Sequence, residues 1–407
     1  MSNPTTLTKP GRKAPNLTGL AAVVLVALTA AVAQAFGRFT FGVLLPAIRD
    51  DLSLSNTVAG SLATVNVAGY LAGTLIVASA SSRFRLLVVM RAGMLLAVSG
   101  LSLAALSTGP LVLAAGLLLM GLGGALTWIP APVVAAAALA PERRAFAIGI
   151  LASGMGVGVV FSGQLAGFVR STMGDSSWRT VYAVQSLIGV VVVAMAWLLL
   201  SHRQDQPSTK AGLGGFSVLR RMPGWLPFTV AFTAFGLMYL LVVAFLTTRL
   251  EDDSGWTSSR ASLAFTILGV AMIFGGPLVI ALTERIGPRL TIAFAFGAWA
   301  VAATTILSGW SAPTLIAAAV TGLLFSALPT LFTLYVVNNT TAQDYGPSFA
   351  AATFAFGVAQ MVSPQLGGYL ADLAGSFTPV FLLSASLAMV GLAAVLRLPS
   401  KPPTKAT

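Results

Sequence analysis

The stretch AVAQAFGRFTFGVLLP, Ala31 to Pro46, decides how the chain is read. It is apolar except for Gln34 and Arg38, and no acidic residue precedes Asp50. With its apolar flanks the run is long enough to cross a bilayer, which takes about 20 residues at about 1.5 Å each. The same pattern fills the rest of the chain. Of 407 residues, 57% are hydrophobic and 8% charged, where a soluble domain carries about 25% charged residues. Mean hydropathy is +0.90. Twelve such runs are expected, at 18–47, 57–79, 86–107, 111–138, 145–169 and 180–200, then 226–248, 259–282, 290–309, 313–337, 348–370 and 377–397.

Connections are short except for 201–225, which is polar and separates the runs six and six. The expected organisation is a cytoplasmic tail (1–17), a first six-helix unit (18–200), a cytoplasmic linker (201–225), a second unit (226–398) and a cytoplasmic tail (399–407). Seventeen of the 23 Lys and Arg then fall on the side of the termini and five on the other. That asymmetry is the positive-inside rule, and it predicts that both termini are cytoplasmic in a multi-pass protein of the inner cell membrane. It also accounts for the net charge of +12 without a nucleic-acid partner. Lys9, Arg12 and Lys13 before an apolar run and Ala33-Gln34-Ala35 imitate a secretory signal. Cleavage is not expected, because the run continues to Ile48 and recurs in the second half.

That recurrence is specific. AFGRFT (35–40) resembles AFGLMY (234–239), SGQLAGF (162–168) resembles SPQLGGY (363–369), and SWRTVY (177–182) resembles SFTPVF (376–381). Three matches at nearly one spacing indicate a duplicated six-span unit. Six is even, so the copies share orientation, and proteins built this way bind substrate between their halves.

On these features the chain resembles the major facilitator superfamily (MFS). TERIGPRL (Thr283 to Leu290) is similar to that family's cytoplasmic Asp-Arg-x-Gly-x-Arg loop, which implies a gating role for Glu284, Arg285 and Arg289. GILASGMGVGVVFSG (149–163) resembles its glycine-rich fifth helix. FGRFTFGVLLPAIRDDLSLS (36–55) and FGVAQMVSPQLGGYLADLAGSF (356–377) look like the YbfB-type bacterial permeases. The resemblance implies an all-α membrane protein with the MFS fold, 12 transmembrane helices in two pseudo-symmetric six-helix bundles, that acts as a secondary transporter by alternating access. Two departures weaken a proton/drug antiport reading. SASSRFR (79–85) lacks the acid of its second-half counterpart, and Leu117 stands where drug exporters carry an arginine.

Arg38 lies about ten residues from the outer end of its span, near mid-bilayer. An arginine there costs about 2.5–3.5 kcal/mol on insertion scales, so it is expected to face the bundle interior. All eleven acids lie in loops or at span ends. A cation with no carboxylate at its depth suits a site completed by a substrate anion, and a guanidinium fork matches planar oxyanions. The alternative, that Arg38 bonds carbonyls, a tyrosine or water in a structural, gating or coupling role, stays open. Gln34 shares its face at i, i+4. Asn66, Tyr70, Tyr239, Gln360 and Trp128 are further candidate substrate contacts, each of which could instead serve helix packing.

The expected partners are a small, anionic substrate and the lipid bilayer, with no nucleic acid and a monomeric chain. The competing reading is an exporter of amphipathic drugs or toxic metabolites. An enzyme is not expected, because the chain has no cysteine, a single histidine (His202) outside the spans and no intramembrane carboxylate pair. No cofactor or metal is implied, and no P-loop is present.

Overall fold

The structure, a computed structural model, describes residues 19–80, 83–200 and 215–399. The expected N-terminal tail, the linker up to residue 214 and nearly all of the C-terminal tail lie outside the described residues. Within them the chain forms twelve long helices. They are α1 (Leu20–Asp51), α2 (Asn56–Ala80), α3 (Leu86–Ala105), α4 (Pro110–Ala137), α5 (Arg144–Met173), α6 (Trp178–Leu199), α7 (Trp225–Asp253), α8 (Ser258–Ile286), α9 (Pro288–Ile306), α10 (Ser311–Asn339), α11 (Ala342–Ala374) and α12 (Thr378–Val395). Eleven are long and apolar enough to cross a membrane by length and composition. The twelfth, α11, has 33 residues and stands at the repeat position of α5, but it carries Asp344, Gln360, Gln365 and Asp372 along its length. The fold is all-α, with α1–α6 and α7–α12 forming two pseudo-symmetric bundles.

Several helices outrun the expected spans because backbone hydrogen bonding continues past the point where hydropathy falls. Helix α1 reaches Asp51, α5 reaches Met173, and α7 continues through a π-helical turn, Arg249–Asp253. The expected fourth span is broken after Trp128, beside Pro130, which cannot donate to the helix ladder. Leu, Val and Phe side chains such as Leu111, Phe168, Val301 and Leu373 are exposed on the outer surface, as a lipid environment permits. Helices α1 and α7 are the central pair. Their most apolar windows are each 78% buried, against 33–56% for the others.

Helix α1 is irregular where the fold needs it to be. Ala31–Phe39 is a nine-residue π-helical segment ending at Arg38 and Phe39, a distortion that is rare and concentrates at functional sites. Its partner α7 is α-helical at the equivalent residues. Two turns further, Pro46 has no N–H for the Gly42 carbonyl. That carbonyl instead accepts from the Thr247 hydroxyl of α7 at 2.7 Å. Gly42 also lets the two helices touch, since a Cβ there would stand 3.0 Å from the Val243 carbonyl oxygen.

Each half is tied internally in the same way. In the first, Thr40, Ser162 and Gln185 are mutually hydrogen-bonded and buried, joining α1, α5 and α6. At the equivalent places, Ser363 and Ser384 donate to the Leu237 and Met238 carbonyls of α7. Arg91 donates to the Ala196, Trp197 and Leu200 carbonyls at the end of α6. Arg289 likewise donates to the Leu396 carbonyl at the end of α12. Both place a cation where the helix dipole is negative.

Between the halves, α2 packs on α11 and α5 on α8. The glycines of α5 split their work. A Cβ on Gly156 would lie 2.6 Å from Ile273 of α8, and one on Gly158 would lie 2.5 Å from Ala35 of α1. Gly156→Leu or Gly158→Leu is therefore expected to lower the yield of folded protein, read by size-exclusion chromatography of the solubilised protein. Normal yield and thermal stability of both variants would refute this packing.

Candidate substrate site

The π segment delivers Arg38 into the interface between the halves. Its Nη2 donates to the Tyr239 hydroxyl of α7 at 2.9 Å and to the Gln360 carboxamide oxygen of α11. The guanidinium carbon lies 5.1 Å from the centre of the Tyr70 ring on α2, a cation–π contact. Arg38 is half-buried, and its buried Nε has no hydrogen-bond partner. Among the described residues no carboxylate pairs with it.

The sequence candidates divide. Tyr70, Tyr239 and Gln360 converge on Arg38. Gln34 stands one step behind, where Gly124 backs onto both it and Tyr70. Asn66, 4% exposed, gives its amide hydrogens to the Gly37 and Leu117 carbonyls, each at 2.9 Å. It therefore holds α1, α2 and α4 in register. The close approach depends on Gly121, where a Cβ would fall 2.0 Å from the Asn66 carbonyl oxygen. Trp128 is one turn beyond Gly124, the residue that backs onto Gln34 and Tyr70, and is not among the side chains touching Arg38. Glu284 and Arg285 are exposed at the end of α8, and Arg289 caps α12.

On the side of Arg38 away from the termini, a small pocket is lined by Ala63, Asn66, Val243, Ala244 and Pro364, among others. Its volume of ≈ 30 Å³ is room for water rather than for a substrate body. Beyond it the two halves are fastened. Arg170 of α5 grips Glu251 of α7 with two bonds of 2.7 Å and also reaches Asp175. Arg49 of α1 pairs with Asp252 of α7. Asp372 of α11 accepts from the backbone N–H groups of Asn56 and Thr57 and from the Thr57 hydroxyl, capping α2 of the other half. Among the described residues, every ion pair between the halves lies at this far end.

These fastenings are absent from the sequence reading, whose fifth and seventh spans end at residues 169 and 248, just before Arg170 and Glu251. A usable signal existed. Helical spacing runs on through FVRSTM (168–173) to Gly174, whose φ of 86° ends the helix.

The fold and an inter-half polar site define a transporter of the major facilitator superfamily. The family model described as "Uncharacterised MFS-type transporter YbfB" matches residues 30–396, and the chain belongs to that family. It is 29% identical over 189 residues to the putative uncharacterized transporter YgaY of Escherichia coli K12, a match spanning 46% of each chain, so the chain spans about half the length of that relative. It is 25% identical over 413 residues to the hexuronate transporter of Bacillus subtilis, covering 92% of this chain and 93% of that one. Its fold is shared by the crystal structure of a D-xylose–proton symporter, with a TM-score of 0.70 at 15% identity, covering 93% and 98% of the two chains.

Proposed function

We propose that the chain is a secondary transporter that moves a small anion by alternating access, with Arg38 as the residue that binds it. The observation that carries this reading is the Arg38 constellation. A cation at the interface of the halves is held only by a tyrosine hydroxyl, a carboxamide and a ring face, with Nε unused. Neutral partners orient the guanidinium without cancelling its charge, so an arriving anion gains the full charge-assisted interaction. The similarity to a hexuronate transporter supports an anionic cargo.

Alternating access is supported by the distribution of ties. The far end is fastened across the halves by Arg170–Glu251, Arg49–Asp252 and the Asp372 cap, and the site lies directly behind it. In the topology expected from the basic residues, both termini face the cytoplasm of a cell with this protein in its inner membrane. The fastened end is then the outer one, so this state is closed to the outside.

The test is thermal stabilisation of the purified full-length protein by acetate, nitrate and benzoate, set against cationic amphiphiles. Stabilisation by anions is expected. Stabilisation by the amphiphiles alone would put an exporter of amphipathic compounds in place of this reading.

A further inference from the structure

Resting on that anion reading, the geometry points to a cargo that is an aromatic monocarboxylate, with one charge and few hydroxyl groups. Charge comes first. At the depth of Arg38 no second cation faces the inter-half space among the described residues. Arg91 and Arg289 are spent on helix ends, while Arg49 and Arg170 are spent on carboxylates at the far end. A dianion would keep one charge without a counter-ion in a low-dielectric site.

The donors fit a carboxylate. Arg38 uses only Nη2 on the protein, and its Nε is free. Tyr239 accepts from Arg38, so its hydroxyl proton remains to donate. Gln360 accepts through its oxygen, so its NH2 remains as well. Three side chains of one hydrogen-bonded cluster thus keep N–H or O–H groups that could serve two carboxylate oxygens.

The body of the ligand is constrained by what is missing. A sugar acid would bury hydroxyl groups that each need partners. Polar side chains beside the site are already engaged within the protein. Asn66 is committed to two carbonyls, and Thr40, Ser162 and Gln185 to one another. The far-side pocket, ≈ 30 Å³, is too small for such a body, which we therefore place toward the termini. There the walls are rings. Tyr70 and Phe356 stand one turn beyond Asn66 and Gln360 in that direction. Phe356 lies nearly parallel to Tyr239, at 15° and 6.1 Å, and Phe325 meets Tyr239 edge-on at 5.1 Å. Tyr70, Phe325 and Phe356 are all only half-buried. Partly open ring faces beside a guanidinium suit a flat apolar body carrying one carboxylate.

The experiment measures binding of benzoate, acetate, glucuronate, phthalate and benzamide to the purified full-length protein, its Arg38→Ala variant and its Phe325→Leu variant. Benzoate is expected to bind at least about tenfold more tightly than any of the others, and to be lost in Arg38→Ala. Phe325→Leu is expected to weaken benzoate about three- to tenfold at unchanged melting temperature, the scale of one lost aromatic contact. If glucuronate, phthalate or acetate matches benzoate and depends on Arg38, the aromatic monocarboxylate assignment falls while the anion reading stands. If benzoate binding persists unchanged in Arg38→Ala, or no anion binds the parent protein, both fall.

Discussion

Arg38→Ala is expected to fold, to melt within a few degrees of the parent and to bind no anion. Three contributions set the thermal outcome. Removing an arginine from mid-membrane relieves about 2.5–3.5 kcal/mol on insertion scales. Against this, the Gln360 oxygen and the Tyr239 hydroxyl lose their donor, at about 1–3 kcal/mol for each group left unsatisfied. The tyrosine proton can turn to the carboxamide or to water, which reduces that cost, so the terms nearly cancel. Binding has no such compensation, because the cation proposed to hold the anion is gone. Arg38→Lys keeps the charge but loses the planar fork that matches a carboxylate. It should retain weakened binding. Melting temperature and benzoate affinity measured on both variants check this. Collapse of folding in Arg38→Ala would make Arg38 a structural residue, and undiminished affinity would remove it from the site.

Arg170→Ala is expected to shift the protein toward a state open at the far end. The Arg170 side chain is fully buried and that of Glu251 is 14% exposed, so truncating the arginine leaves a carboxylate unpaired in a dry interface. Breaking such a pair costs about 3–5 kcal/mol. The cost applies while the halves are fastened and is relieved when they part and Glu251 meets water. At about 1.4 kcal/mol per tenfold, the equilibrium moves by a hundredfold or more. Native cysteines are absent, so a single Cys at Ala63, in the pocket behind the fastening, reports the change. A membrane-impermeant thiol reagent added outside intact cells should label it much faster in the Arg170→Ala background. The Arg170→Ala/Glu251→Ala pair should label at an intermediate rate, because no charge is then stranded. Equal rates in all three backgrounds would show that the contact does not control access.

Hydropathy and the internal repeat make the architecture legible before any coordinates, because both are long-range, redundant signals. Many residues contribute to each, and no single one decides it. The centre of the site is legible for a related reason: Arg38 violates the pattern of its surroundings, and in a membrane a violation has few inexpensive explanations. Tyr70, Tyr239 and Gln360, legible in the sequence only as candidate substrate contacts, meet it in the structure. Asn66 carries the same kind of signal yet serves the backbone, since a polar side chain in an apolar run announces only that it needs a partner. Trp128, a further candidate contact, neither bonds nor stacks on Arg38 here. Least legible are the far-end ties. Arg170, Glu251 and Asp252 sit where hydropathy has already fallen, and charged residues there read as solvated loops. Only the continuation of helices α5 and α7 brings them together. The π segment is hidden as well, since AVAQAFGRF carries no residue that demands a wider turn.

The twin arginine caps have a consequence for biosynthesis. The ribosome delivers α1 to α6 before α7 exists. Every tie that closes the first bundle is made among residues already synthesised: Arg91 on the end of α6, Asp51 on Trp178 and Arg179, and the knot of Thr40, Ser162 and Gln185. The second bundle repeats the arrangement with Arg289 on α12 and with Asp253 on the start of that helix. Neither half waits for the other to satisfy its own buried polar groups there. A gene split between the codons for residues 200 and 215 should therefore yield two polypeptides that insert separately and assemble afterwards, through Arg170, Arg49 and Asp372, into one working carrier.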